Sequence, residues 1–397
     1  MLRGTPFHSR TSALCEAQNW RRWAGYVVAG SYELTHDREY YAIRSSAALF
    51  DVSPLFKYLI AGPEAMRLLN RVVARDVSKC AVGQALYTPW CNSAGKVIDD
   101  GMISRLDEQT FRLTSADPNF RWLHLNAVGL NVHIQDVSDT TAALSLQGPN
   151  SRAILKQVSD ADLDRLKYFW LISAKIRDIP VTISRTGYTG DLGYEIWADA
   201  QHAERLWDAL MGAGKPYGIT PAGILALDLA RVEAGLLLIE VDYQSARHAL
   251  IEAQKSTPYE LGLGCTVSLD KGNFVGRKAL MEEKRRGPAW QFVGLEIEWK
   301  GLERLYLEAG LPAQLPTTTW RTSVPVSSMG RQVGYASSGC WSPLLKKYIA
   351  LAHLEAEHAK PGGLVMMEVT VEHHRRYAPA RVTPTPFFNP ERKRAFP

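Results

Sequence analysis

Met66, Leu69 and Val73 form one apolar stripe just after Pro63, which predicts a helix over residues 63–74. Residues 84–116 read as strands broken at Asn92-Ser93-Ala94-Gly95, a hairpin turn. The apolar run 142–147 predicts another strand. It ends at Gly148-Pro149, and a helix is expected to start near Asn150, a favourable N-cap residue. Two strands are expected within 179–200, separated by a segment with glycine at 187, 190 and 193. Glycines so dense imply unusual torsions or the close approach of another group. Ala203, Leu206, Trp207 and Leu210 predict an amphipathic helix over 201–211, stopped by Gly212 and Gly214. A further helix is expected to begin at Thr220-Pro221 and to run to about Gly235. From about residue 286, short alternating segments such as Phe292–Ile297 predict a small all-β domain. The tail from Pro384 is basic and contains prolines, and reads as extended.

Length and composition add little beyond class. A chain of 397 residues, 46% hydrophobic, is globular and long enough for two to three domains. The net charge of +5 suits an anionic small ligand, and no RNA-binding signature accompanies it, so no nucleic-acid partner is expected. The five cysteines form no C-x-x-C pair, which predicts reduced thiols and a cytoplasmic setting. Neither a secretory signal nor an apolar run long enough for a bilayer occurs, so no membrane association is expected. P-loop, dinucleotide and G-x-S-x-G motifs are missing. His353, Glu357 and His358 miss a zinc spacing by one residue, and no metal is expected.

Three segments carry the chemistry. They are Tyr87 to Asp100 (YTPWCNSAGKVIDD), Ser184 to Glu195 (SRTGYTGDLGYE) and Ala226 to Gly235 (ALDLARVEAG). Together with Phe50-Asp51-Val52-Ser53, Leu146-Gln147-Gly148-Pro149, Phe274–Leu280 and Ser338–Pro343, they keep order and spacing over nearly the whole chain. The set resembles the folate-dependent aminomethyltransferase family, whose best-known member is the glycine cleavage T-protein. The resemblance implies an α+β, three-domain cloverleaf around a central hole that holds tetrahydrofolate, closed by a C-terminal β-barrel. The expected domains are 1–51 with 142–246, 52–141 with 247–285, and 286–397.

Asp99 and Asp100 are adjacent, so on a strand only one can face a given side. Residue chemistry alone leaves a solvated pair open; the resemblance selects Asp100 as the catalytic carboxylate, one that holds or moves protons at the folate nitrogens. It also implies folate contacts at Tyr87, Met102, Ser115, Phe169, Trp170, Tyr188 and Glu195, the last accepting hydrogen bonds from the pterin ring. Arg231 stands three residues after Asp228 on one helix, and either pairs with it or meets the folate glutamate tail.

The chain departs from the T-protein pattern at Pro54, Ser115, Leu227, the run Leu236 to Tyr243, and Phe387-Phe388-Asn389. These departures predict a free small-molecule donor, an aromatic methoxy or methylenedioxy ether, in a pocket lined by Tyr26, Phe56, Tyr58 and Trp90. The alternatives are a T-protein acting on a lipoyl carrier protein, an N-demethylase of a methylated amine, and a non-catalytic folate-binding protein.

Overall fold

The computed structural model describes residues 2–395 and contains three main sheet systems. The first is six-stranded, in the order Leu171–Ile176, Ile179–Ser184, Gly193–Asp199, Thr141–Gln147, Ala47–Asp51 and Ile219–Pro221. The second is five-stranded: Ala85–Cys91, Val97–Arg105, Thr110–Ser115, Phe56–Ala61 and His133–Asp136. The third is a closed six-stranded barrel formed between Trp290 and Thr383. A small three-stranded ribbon, Arg3–Gly4, Tyr26–Ser31 and Asn19–Trp23, precedes them.

The five-stranded sheet positions the chemistry, and its two faces differ sharply. One face carries Tyr58, Ile60, Leu86, Trp90, Ile103, Phe111 and Leu113 into a core closed by the helices Ala65–Val72 and Phe120–Ala127. On the paired strands, Tyr87 lies opposite Met102, Met102 opposite Thr114, and Ser104 opposite Arg112. Paired residues share a face. Asp100, Met102, Tyr87 and Arg112 therefore stand on the second face, away from that core.

Several sequence expectations shift. The helix Ala203–Gly214 continues through Gly212, and the chain reverses at Gly218, whose φ of 71° is left-handed. Thr220-Pro221 does not open a helix: it closes a short strand that pairs with Ala47–Leu49 at the sheet edge, where proline is tolerated. The helix behind it is Ile224–Glu233, and the Gly223 N–H at its start donates to Glu39 at 2.8 Å. Asn150 occupies the N-cap position of Ser151–Val158, but its side chain bonds the Tyr217 carbonyl at 3.0 Å instead. The barrel domain is not all-β, since the helix Trp299–Glu308 packs Leu302 and Tyr306 into the barrel core. The basic tail is anchored. Arg392 pairs with Asp191 at 2.6 and 2.7 Å, and buried Arg185 donates to the carbonyls of Arg392, Lys393 and Ala395. Among the described residues no helix is long and apolar enough to cross a membrane.

A buried charge network joins the first sheet system to the barrel. Arg231, on the helix Ile224–Glu233, donates to Asp228 at 2.8 Å and to Asp242. Asp242 also accepts from Ser337 at 2.6 Å and Ser338 at 2.8 Å on the barrel, and from the Leu238 N–H at 2.9 Å. Removing one partner of such a pair leaves the others buried and unpaired. Asp242→Ala is therefore expected to cost about 3–5 kcal/mol in urea unfolding. Lys156→Ala, in an exposed pair with Asp164, should leave the unfolding midpoint unchanged.

Candidate active site

The glycine-rich segment closes over one side chain. Gln147 sits at the end of Thr141–Gln147, and its amide donates to Ser145 at 2.9 Å and to the Thr186 carbonyl at 3.2 Å, while accepting from Thr189 at 2.8 Å. A Cβ at either Gly187 or Gly193 would overlap that amide. The close approach inferred from glycine spacing is thus made to Gln147. This packing sets the start of the strand Gly193–Asp199, which carries Glu195.

The two adjacent aspartates do different work. Asp99 is fully buried and accepts from the Asp100 N–H at 2.8 Å, the Asp117 N–H at 3.1 Å and the Asn119 amide at 2.8 Å. Asn119 in turn accepts the Trp90 indole N–H at 3.1 Å and donates its backbone N–H to the Tyr58 hydroxyl at 2.8 Å. Asp99 therefore holds the turn after Thr110–Ser115 against the sheet. Asp100 is half-buried and accepts from two phenols, Tyr87 at 2.8 Å and Tyr243. Burial raises the Asp100 pKa above the ordinary carboxylate range, and the two hydroxyls act against that rise by bonding the ionised form. Burial, with the Asp100 charge, pushes both phenols upward in turn, so they remain donors.

Several of the other expected residues reach the same sheet or the sheet that faces it. Tyr188 is half-buried, donates to the Leu237 carbonyl, and lies close enough to Tyr87 to raise its pKa. Phe169 adopts a φ of 63°, rare for a bulky residue, and its carbonyl accepts the Ala85 N–H at 2.8 Å, two residues before Tyr87. Trp170 bridges to Gln84. Glu195 is half-buried and accepts from Thr186 at 2.7 Å. Burial raises its pKa, against the opposing effects of Thr186 and the nearby Arg112 charge.

Other expected residues are placed elsewhere. Tyr58 and Trp90 lie in the helix-covered core at 0% and 1% exposure, and Phe56 packs against that core. Strand alternation puts them on the sheet face opposite Asp100. Ser115 falls on that face too and bonds the Asp117 carbonyl at 2.8 Å. Tyr26 belongs to the N-terminal ribbon, where its hydroxyl donates to Asp139 at 2.8 Å beneath Arg3. Arg231 pairs with Asp228 through Nε and with Asp242 through Nη1, which is the ion-pair reading of its spacing, and its buried Nη2 has no partner. His353 is buried against the Asp242 carbonyl at 2.6 Å, apart from Glu357 and His358, which cluster with Glu355 around Arg331.

Tyr243 is the site residue that sequence reading left without a role. It ends the run Leu236 to Tyr243, and no local pattern marks its partner; only the fold brings it to Asp100.

Comparison with known proteins bears on this geometry. A model described as the GCVT N-terminal domain matches residues 7–271, and one described as the glycine cleavage T-protein C-terminal barrel domain matches residues 309–389. An aminomethyltransferase of Desulforamulus reducens is 34% identical over 357 residues, 89% of this chain and 90% of that one. One from Bacillus pumilus is 33% identical over 395 residues, covering 98% and 99%. The chain belongs to the glycine cleavage T-protein family. A crystal structure of glycine cleavage system aminomethyltransferase T from Bartonella henselae, 23% identical, matches the fold with a TM-score of 0.84 over 100% of both chains.

Family membership bears out the α+β fold with its C-terminal barrel and the expectation of a one-carbon group transferase. It overturns the aromatic ether donor, because the relatives that match nearly the whole chain are named aminomethyltransferase. The physical premise of that donor fails as well: three of its four pocket residues belong to the core side of the sheet.

The Gln147 packing makes a direct prediction. Gly193→Ala must displace the Gln147 amide and should lose about 1–3 kcal/mol in chemical denaturation. Gly212→Ala, in a helix with open space around it, should instead gain up to about 1 kcal/mol.

Proposed function

We propose that this chain is an aminomethyltransferase that passes a one-carbon unit from an aminomethyl group on a lipoyl carrier protein to tetrahydrofolate. The observation that carries the reading is the Asp100 carboxylate held between the Tyr87 and Tyr243 hydroxyls, within a chain related over nearly its full length to aminomethyltransferases. The proposed domains are those expected from the sequence, with the folate between the first two and the barrel.

In the reaction two folate N–H groups each exchange a proton for a bond to the same carbon. The carbon leaves its amine as ammonia and its lipoyl sulfur as a thiol, so the two protons released by folate balance the two leaving groups. Asp100 is the group suited to accept and return such a proton. Two phenol donors fix both carboxylate oxygens, which limits its rotation and favours a single alignment with the reacting nitrogens. Glu195 has an oxygen not used by Thr186 and suits the N–H edge of the pterin. Tyr87, Tyr188, Phe169 and Trp170 offer aromatic surface to the flat rings, and Met102 stands on the same sheet face.

The test is turnover of the aminomethylated lipoyl carrier protein with tetrahydrofolate, read as ammonia and 5,10-methylene-tetrahydrofolate. Turnover is expected. Silence with the carrier, together with demethylation of free N-methylamines, would overturn the reading. Asp100→Asn should bind tetrahydrofolate yet lower kcat by about 10²–10⁴-fold.

The pH profile carries a second prediction. Catalysis that needs ionised Asp100 is lost as pH falls through its pKa, which burial has raised. The acid limb of kcat/KM should therefore lie above the ordinary Asp value of about 3.9. Tyr243→Phe removes a donor to the ionised form and should move that limb to still higher pH.

A further inference from the structure

Most buried charges in this protein are bonded to the protein itself. Arg44 bonds Glu233, Arg231 bonds Asp228 and Asp242, and Lys57 donates to the carbonyls of Ser53 and Leu55. Arg112 differs. It is 6% exposed, and its Nε and Nη2 are buried without any hydrogen-bond partner. These two N–H groups point from the same edge of the guanidinium, the edge that grips a planar acceptor with two parallel bonds. The guanidinium lies 4.1 Å over the Trp197 ring, and the Trp197 indole N–H is also buried and unpartnered. Trp197 and Glu195 are two residues apart on one strand and so share a face. Glu195 feels the Arg112 charge, yet no direct ion pair joins them among the described residues. Buried orphan donors beside an incompletely used carboxylate form an incomplete polar site.

We infer that Arg112 is a specificity-determining binding residue that reads the 4-oxo group of the pterin while Glu195 reads the neighbouring N–H donors. This rests on the folate reading above. The oxidised-state-independent edge of a pterin presents an amino group, a ring N–H and a carbonyl oxygen in sequence. A carboxylate beside a guanidinium offers the complementary sequence of acceptors and donors. Arg112 stands on the same sheet face as Asp100, and Glu195 on the facing sheet, so such a ring would lie between the two sheets.

The experiment compares Kd values for tetrahydrofolate and its 4-amino-4-deoxy analogue by calorimetry, using the full-length protein. The analogue turns an acceptor into a donor facing the Arg112 N–H groups. Wild type should prefer the 4-oxo form, and Arg112→Met should lose about 10- to 100-fold of that preference. Arg112→Met keeps an unbranched side chain over Trp197 without the N–H groups, and its melting temperature reports whether the fold is retained. Arg112→Lys keeps the charge without the fork and should recover only part of the preference. If wild type binds tetrahydrofolate but both variants keep the full preference, the Arg112 assignment is wrong. If wild type binds neither pterin, the folate reading fails instead.

Discussion

The Arg231–Asp242 pair is the constraint on which the site depends. Asp242 precedes Tyr243 by one residue, so whatever holds the aspartate also aims the tyrosine at Asp100. The aspartate is held from both sides, by Arg231 on a helix of the first sheet system and by Ser337 and Ser338 on the barrel. Tyr188 adds a second tether by donating to the Leu237 carbonyl of the same loop. Arg231, Asp242, Ser337 and Ser338 are all buried, so the cost of leaving one unpaired is high and the loop has little freedom. Docking of the barrel and the geometry at Asp100 are therefore one problem with one solution.

That coupling explains how two identical neighbours acquire opposite roles. Asp99 and Asp100 differ by one strand position, and alternation sends them to opposite faces. On its own face Asp99 meets backbone N–H groups and the Asn119 amide, three donors that tie it into the core and leave it no open side toward a ligand. Asp100 meets only phenols, contributed by a neighbouring strand and by the Arg231-anchored loop. Burial raises its pKa while the phenols hold the ionised form, so Asp100 keeps the capacity to take a proton on the open face of the sheet.

Legibility from sequence followed the range of the interactions. Hairpins and amphipathic helices depend on near neighbours, and Ala85–Cys91, Val97–Arg105 and Ala65–Val72 fall close to where the pattern puts them. Glycine spacing even announced a close contact, although not that Gln147 makes it. Thr220-Pro221 misled because the same dipeptide that opens a helix also ends an edge strand, and only pairing with Ala47–Leu49 decides between them. Asp100 was readable through ordered family motifs. Tyr243 was not, because its partner lies far along the chain and nothing in the run Leu236–Asp242 points to it.

The misplaced aromatic pocket has the same physical origin. Phe56, Tyr58 and Trp90 were grouped for their aromatic character, as side chains able to line an apolar pocket. A sheet, however, separates neighbours by parity. The register that puts Tyr87 beside Asp100 necessarily sends Leu86 and Trp90 into the core, and pairing with Thr110–Ser115 sends Tyr58 and Ser115 the same way. Aromatic density therefore does not pick out the face that carries Asp100. Trp90 has its indole N–H bonded to Asn119, whereas Arg112 and Trp197, on the facing surfaces of two different sheets, keep buried donors with nothing to receive them. Burying such donors is costly unless an acceptor arrives. On the folate reading, the acceptor these donors lack is the ring bound between the two sheets.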